Sequence, residues 1–184
     1  GIGVSLGNLA GSVAACGALG VISSANTGFN EPDFWQNPWR ANLRALQEEI
    51  KKALRMATGR GLVGVNIMVA TRQYPQAVQT AVRAGADAII CGAGLPLDLP
   101  GLAVDNPDVL LAPIVSSGKA ARTICRRWDR SFNHVPDFVV IEGAEAGGHL
   151  GFKRDELLAG HTKTLAELLP EVRAELVPYE QKYN

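Results

Sequence analysis

The stretch Leu62-Val-Gly-Val-Asn-Ile-Met-Val69, followed by Pro75-Gln-Ala-Val-Gln-Thr-Ala-Val82, Gly85 and then Ala88-Ile-Ile-Cys91, decides the class of fold. Its first and last segments are short, apolar and rich in β-branched residues, the composition of strands. Between them Ala77, Val78, Ala81 and Val82 recur at helical spacing after a proline tolerated in a first turn, and Gly85 stops the helix. Strand, helix and strand in so short a span form a βαβ unit with parallel strands. The alternation continues outward. Toward the N-terminus, Leu43, Leu46, Ile50 and Leu54 mark one helical face, Leu19-Gly-Val-Ile-Ser23 reads as a strand, and a weaker helix of small residues covers 8–18. Toward the C-terminus come a strand over 109–115, a helix with Ala121, Ile124, Cys125 and Trp128 on one face, and a strand over 138–141. Thr164 and Glu167 have capping-box spacing, and Pro170 then begins or kinks a last helix over 171–180. Strands made almost wholly of Val, Ile and Leu are those of a parallel sheet buried on both faces.

No linker or low-complexity tract interrupts this pattern, so residues 1–184 are read as one domain. An open doubly wound sheet and part of an eight-fold barrel share the pattern, and the alternation alone leaves both open. The 18 basic and 18 acidic residues balance, which excludes a nucleic-acid binder built on a basic face, and the 47% hydrophobic content excludes a disordered tail. Cys16, Cys91 and Cys125 are odd in number and lie in apolar runs, as buried thiols in a reducing compartment do; they suggest neither a disulfide framework nor a metal site. Val13-Ala-Ala-Cys16 looks like a lipoprotein cleavage site, but the first basic residue is Arg40, so the n-region of a signal is lacking. No apolar run reaches the roughly 20 residues that span a bilayer. The expectation is a cytoplasmic protein without nucleic-acid or membrane partners, preceded by further residues ahead of Gly1.

In either architecture the loops leaving the carboxyl ends of the strands form the active face. Those exits are Ser23-Ser-Ala-Asn26, Cys91-Gly-Ala-Gly94, Ser116-Ser-Gly118 and Glu142-Gly-Ala-Glu-Ala-Gly-Gly-His149, all small or Gly-rich. One such turn is ordinary; four at the same end favour a flat ligand approached closely by backbone. His149 follows two glycines at a strand exit, where an imidazole can exchange a proton near neutral pH. His134 and His161 lie in polar connecting segments and read as solvated. Glu142 ends its strand and points inward, while Glu145 is a turn residue. The aromatic segment 29–39 leaves another exit as a lid or partner surface, or packs down its own loop; 95–102, with two prolines and Asp98, borders the pocket.

The run Ile141-Glu-Gly-Ala-Glu-Ala-Gly-Gly-His149-Leu-Gly151 resembles the EGxEAGGHxG signature of the nitronate monooxygenase family, formerly 2-nitropropane dioxygenases, which includes FMN-dependent enoyl-acyl-carrier-protein reductases. Gly20-Val-Ile-Ser-Ser24, Val65-Asn-Ile67 and Ala112-Pro-Ile-Val-Ser-Ser117 follow the family's order and approximate spacing. The resemblance covers nearly the whole chain. It implies a (β/α)8 TIM-type barrel, incomplete here at its first and last strands, holding FMN. It implies flavin contact by Ser23, Ser24, Asn66, Glu142, Gly147 and Gly148, and proton abstraction or substrate positioning by His149, with no metal. The implied reaction is oxidation of nitronates or nitroalkanes. The alternatives are NAD(P)H-dependent reduction of an enoyl thioester and an inactive truncated barrel.

Family members continue into two further strands whose Gly-rich exits hold the FMN phosphate, whereas this sequence stops at Asn184, where 177–184 would lead into the first of them. The 184 residues alone are therefore expected to retain FMN poorly and to associate with a remaining C-terminal part or with another copy.

Overall fold

The computed structural model describes residues 2–148, 151–152, 154–160 and 162–183. Its strands are β1 (Leu19–Ser23), β2 (Leu62–Met68), β3 (Ala88–Gly92), β4 (Leu110–Val115) and β5 (Val140–Ile141). All pair in parallel, and the sheet order is simply β1-β2-β3-β4-β5. This order removes the ambiguity left by the alternation. A doubly wound sheet reverses its strand order at a switch point; a sheet that adds each strand beside the last keeps its right-handed crossovers on one face and curls toward a barrel. The five strands form a curled half-barrel of the (β/α) type.

The helices are α1 (Gly7–Ala15), α2 (Pro38–Ala57), α3 (Tyr74–Arg83), α4 (Leu99–Leu102), α5 (Gly118–Phe132), α6 (Arg154–Leu158) and α7 (Leu165–Tyr183). Local chemistry explains their ends. Asn37 caps α2 by accepting from Arg40 N at 3.1 Å with Pro38 in the first turn, and Ser117 caps α5 by accepting from Ala120 N at 3.2 Å. α3 stops as the chain turns at Gly85, where φ is +88°. The capping box opens α7: Glu167 accepts from Thr164 N at 2.8 Å, and Glu167 N donates to Thr164 Oγ1 at 3.4 Å. The helix then runs through both Pro170 and Pro178, so Pro170 does not begin it.

The core lies between sheet and helices. On the outer face Val63, Val65, Ile67, Ile89, Cys91, Leu111 and Val115 are buried against Val78, Ala81, Ile124 and Trp128. The concave face is different, and corrects the expectation of a sheet buried on both faces. In the central β3, Ala88 and Ile90 are buried, but Leu19, Val21, Asn66, Met68, Leu110 and Ile114 are half-exposed and Leu62 is exposed. The sheet is covered by helices on one side, and its other side is the lining of a barrel.

α1 packs closely on α2 and β1. A Cβ at Gly11 would fall 2.7 Å from Met56 Cβ, and one at Gly20 would overlap the Ala10 carbonyl. On α2 Ala41, Ala45, Ala53 and Ala57 are buried with Leu46 and Ile50, while Leu43 and Leu54 are only partly buried.

Two aspartates organise the end of the sheet where the strands begin. Asp87 Oδ2 accepts from Val63 N at 2.7 Å, while Asp87 N donates to Val63 O at 2.8 Å. Asp137 repeats this with Leu111: Oδ2 accepts from Leu111 N at 2.7 Å and Asp137 N donates to Leu111 O at 3.1 Å. Each carboxylate, ahead of its own strand, accepts from the N–H of the second residue of the preceding strand, whose first N–H already has a backbone acceptor: Leu62 N donates to Ala18 O at 3.1 Å and Leu110 N to Asp87 O at 2.9 Å.

Cys16 is exposed at the end of α1, contrary to the expectation of three buried thiols; Cys91 and Cys125 are buried. His134 is half-buried rather than solvated, its ring centroid 5.9 Å from that of Trp128 and its Nε2 3.8 Å from Asp137 Oδ2. His161 lies outside the described residues.

Candidate active site

The exits of the strands meet at one end of the concave face. Ser23 is the register partner of Asn66, and Asn66 of Ile90; Ser24 N donates to Asn66 O at 3.0 Å. The side chains of Ser23, Ser24 and Asn66 make no hydrogen bond among the described residues, so their polar groups are available to a ligand on this face.

Beside them the β3 exit is almost bare backbone. Ala93 and Gly94 take positive φ (52° and 134°), and a Cβ at Gly92 would fall 2.8 Å from Ile114 Cδ1. A cavity of about 370 Å³ opens here, lined by Ala70, Ala93, Gly94, Ser116, Glu142 and Gly151, among others. Glu142 points inward as expected. Its N–H continues the ladder by donating to Val115 O at 2.9 Å, and its Oε2 accepts from Ser116 Oγ at 3.4 Å and from Gly151 N at 3.2 Å.

Gly147 and Gly148 are exposed, Gly148 has φ of +91°, and a Cβ on either would meet nothing within 4 Å. Both have open space where a side chain would stand. His149 lies outside the described residues. The fold thus brings Ser23, Ser24 and Asn66 together at one end of the concave face, with Glu142 at its other side across the β3 exit.

Other candidates are sorted by side-chain direction. Cys91 sits at a strand exit, but its thiol faces the helices and burial pushes its pKa up, so it is a packed thiol and not a thiolate nucleophile. Cys125 is likewise buried and pushed up to about 11 by desolvation. The 95–102 segment does border the cavity through Leu95, but it also turns into α4, buries Leu99 and accepts the Trp128 indole N–H at Pro96 O, 2.8 Å away. In the aromatic segment Phe34 is buried, whereas Trp35 is 87% exposed. Arg44 ties this segment to α2 through Glu31 at 2.6 Å and Asp33 at 2.5 Å.

Ser116 and Gly151 were not singled out from sequence as site residues. Ser116 lay within a named exit and Gly151 within the signature, but their meeting across Glu142 joins positions far apart in the chain.

A nitronate monooxygenase family model matches residues 1–178. The chain belongs to the nitronate monooxygenase family. Among solved structures, this family member is similar to a FabK M276A mutant from Thermotoga maritima, with 25% identity over 93% of this chain and 47% of that one and a TM-score of 0.66. It is also similar to nitroalkane oxidase from Streptomyces ansochromogenes, with 18% identity over 95% of this chain and 53% of that one and a TM-score of 0.71. The chain thus spans about half the length of these structures. No curated protein matches it. No helix among the described residues is long and apolar enough to cross a membrane.

Proposed function

We propose that the intact protein is an FMN-dependent oxidase of nitronates or nitroalkanes. The observation that carries this reading is the concave face at the strand exits: small residues, glycines with open space where a side chain would stand, and polar groups on Ser23, Ser24 and Asn66 that make no hydrogen bond among the described residues. Such a surface fits a flat heteroaromatic ring, which needs close backbone approach on its face and a few polar contacts at its edge. The bound flavin would supply a two-electron acceptor. Ser23, Ser24 and Asn66 would border it from β1 and β2, and Glu142, Gly147 and Gly148 from the β5 exit. His149, next in the chain after Gly148, would take a proton from the carbon beside the nitro group. The free buried thiols agree with a cytoplasmic setting.

The likeness to FabK favours a second reading, NAD(P)H-dependent reduction of an enoyl thioester in the same cavity. Full-length protein purified gently should carry a yellow cofactor released as FMN. Nitronate-driven oxygen consumption supports the first reading; NAD(P)H-driven loss of an enoyl thioester supports the second. A protein colourless even after added FMN would overturn both.

A further inference from the structure

We propose that Glu142 is a positioning residue, an uncharged-tolerant acceptor that clasps the 142–151 loop onto the β4 exit, and not an acid or base of the reaction. The proposal rests on the reading of the concave face as the flavin site, and deepens it by assigning how its loop is held.

Glu142 is held at both backbone and side chain. Its N–H donates to Val115 O, continuing the β4–β5 ladder, so Cα of Glu142 is placed by the sheet. A single carboxylate oxygen, Oε2, then receives two donors: the hydroxyl of Ser116, the residue after Val115, and the backbone N–H of Gly151. The start and the end of the Gly-rich loop are therefore closed through one atom. Among the described residues of the loop, a turn is held by Ala146 N donating to Gly143 O at 3.2 Å, while a Cβ at Gly147 or Gly148 would meet nothing within 4 Å. A loop so rich in glycine has much conformational freedom to lose. The contact at Gly151 removes part of that freedom in advance, two residues beyond His149 in the sequence.

The glycine at 151 follows from the same contact. A Cβ there would fall 2.9 Å from Ser116 Cβ and would overlap its Oγ. Only a residue without a side chain brings its N–H to Glu142 while Ser116 is in place. Both donors need an acceptor and neither needs a charge, so the amide oxygen of glutamine suffices, whereas proton transfer would require the carboxyl group itself.

The test uses the full-length, FMN-loaded protein and two readouts. The first is kcat and KM with a primary nitroalkane and its nitronate, or with an enoyl thioester and NAD(P)H if that is the active pair. The second is the rate at which a glutamyl endopeptidase cuts after Glu145, which reports loop opening without any need for activity. Glu142→Ala should speed the cut and lower kcat by about tenfold or more, the weight of one charge-assisted hydrogen bond, with KM changed less. Glu142→Gln should recover most of both losses. Gly151→Ala should act like Glu142→Ala, and the double variant Ser116→Gly with Gly151→Ala should recover at least half of the logarithmic loss, because the overlapping atoms are gone.

Several results would overturn the clasp. Glu142→Gln as slow in turnover as Glu142→Ala, with the cut rate normal, would make Glu142 an acid or base. An unchanged cut rate in Glu142→Ala, or no recovery in the double variant, would dissociate the loop from this contact. Absence of both flavin and turnover in the wild-type protein would sink the flavin reading instead, and leave the cut rates to decide the clasp.

Discussion

At the scale of single residues, a carboxylate's work here depends on which backbone N–H it meets. Asp87 and Asp137 each take a donor at the start of the preceding strand, where Val63 is fully buried and water offers no replacement. Asp87→Ala would leave the Val63 N–H unsatisfied, a loss of about 1–3 kcal/mol. Asp87→Asn keeps an acceptor and should lose much less. Denaturant unfolding of the two variants measures the difference, and Asp87→Ala within about 0.5 kcal/mol of wild type would mean that the strand start finds another acceptor. His149 carries a different expectation. A positioned base contributes about 10² to 10⁴ in rate, so His149→Ala should lower turnover by that order while flavin content and the unfolding midpoint stay near wild type. A fully active variant would return His149 to a structural role, as would one that fails to fold.

At the scale of elements, helices here are tied to one another through their N-termini. Glu49 of α2 accepts from Gly7 N at 2.7 Å at the first turn of α1, and Glu171 of α7 accepts from Gly118 N at 2.8 Å at the first turn of α5. Each places a negative charge where unpaired N–H groups and the helix dipole favour it. Lys163 also pairs with Glu171, and these two partners, the lysine first, hold its carboxyl below the ordinary value of 4.5. A lowered carboxylate pKa contributes stability that is present above the unfolded value and lost as pH falls through the folded one. Glu171→Gln should therefore unfold at lower urea than wild type at pH 7, with the gap narrowing as pH falls below 4.5. A gap of constant size across that range would mean that the charge of Glu171 contributes nothing to holding α7 on α5.

At the scale of the whole molecule, the described half-barrel has one concave face and two edges. β1 and β5 each pair on one side only among the described residues, and the N-termini of α1 and α5, which could otherwise attract a phosphate, already hold Glu49 and Glu171. Barrels of this class commonly bind phosphate after the seventh and eighth strands. The 184 residues alone are thus expected to contact the flavin ring without gripping its phosphate. Two charge-assisted hydrogen bonds, at roughly 1.5–3 kcal/mol each, correspond to about two to four decades of affinity. Titrating FMN into this chain while following flavin fluorescence, with light scattering for mass, should show weak binding and association beyond the monomer. Submicromolar binding by a monomer would place the phosphate site within these residues.

Periodicity and turn chemistry, which are local, were enough to place β1 to β4 within a residue or two, the buried faces of α3 and α5, and the capping box of α7. The signature around Glu142 to His149 was equally legible, since its glycines and histidine are adjacent in the chain. What depended on tertiary structure was every relation between distant segments. Strand order separates a barrel from a doubly wound sheet, and it is absent from an alternation that both share. Cys91 is buried, as its apolar run implies, but only the pleat decides that its thiol faces α3. Cys16 sits in an apolar run yet is exposed, because the helix ends there. The meeting of Ser116, Glu142 and Gly151 belongs to the same class: a hydrogen bond across two strand exits is set by register and curl, and no spacing along the chain encodes it.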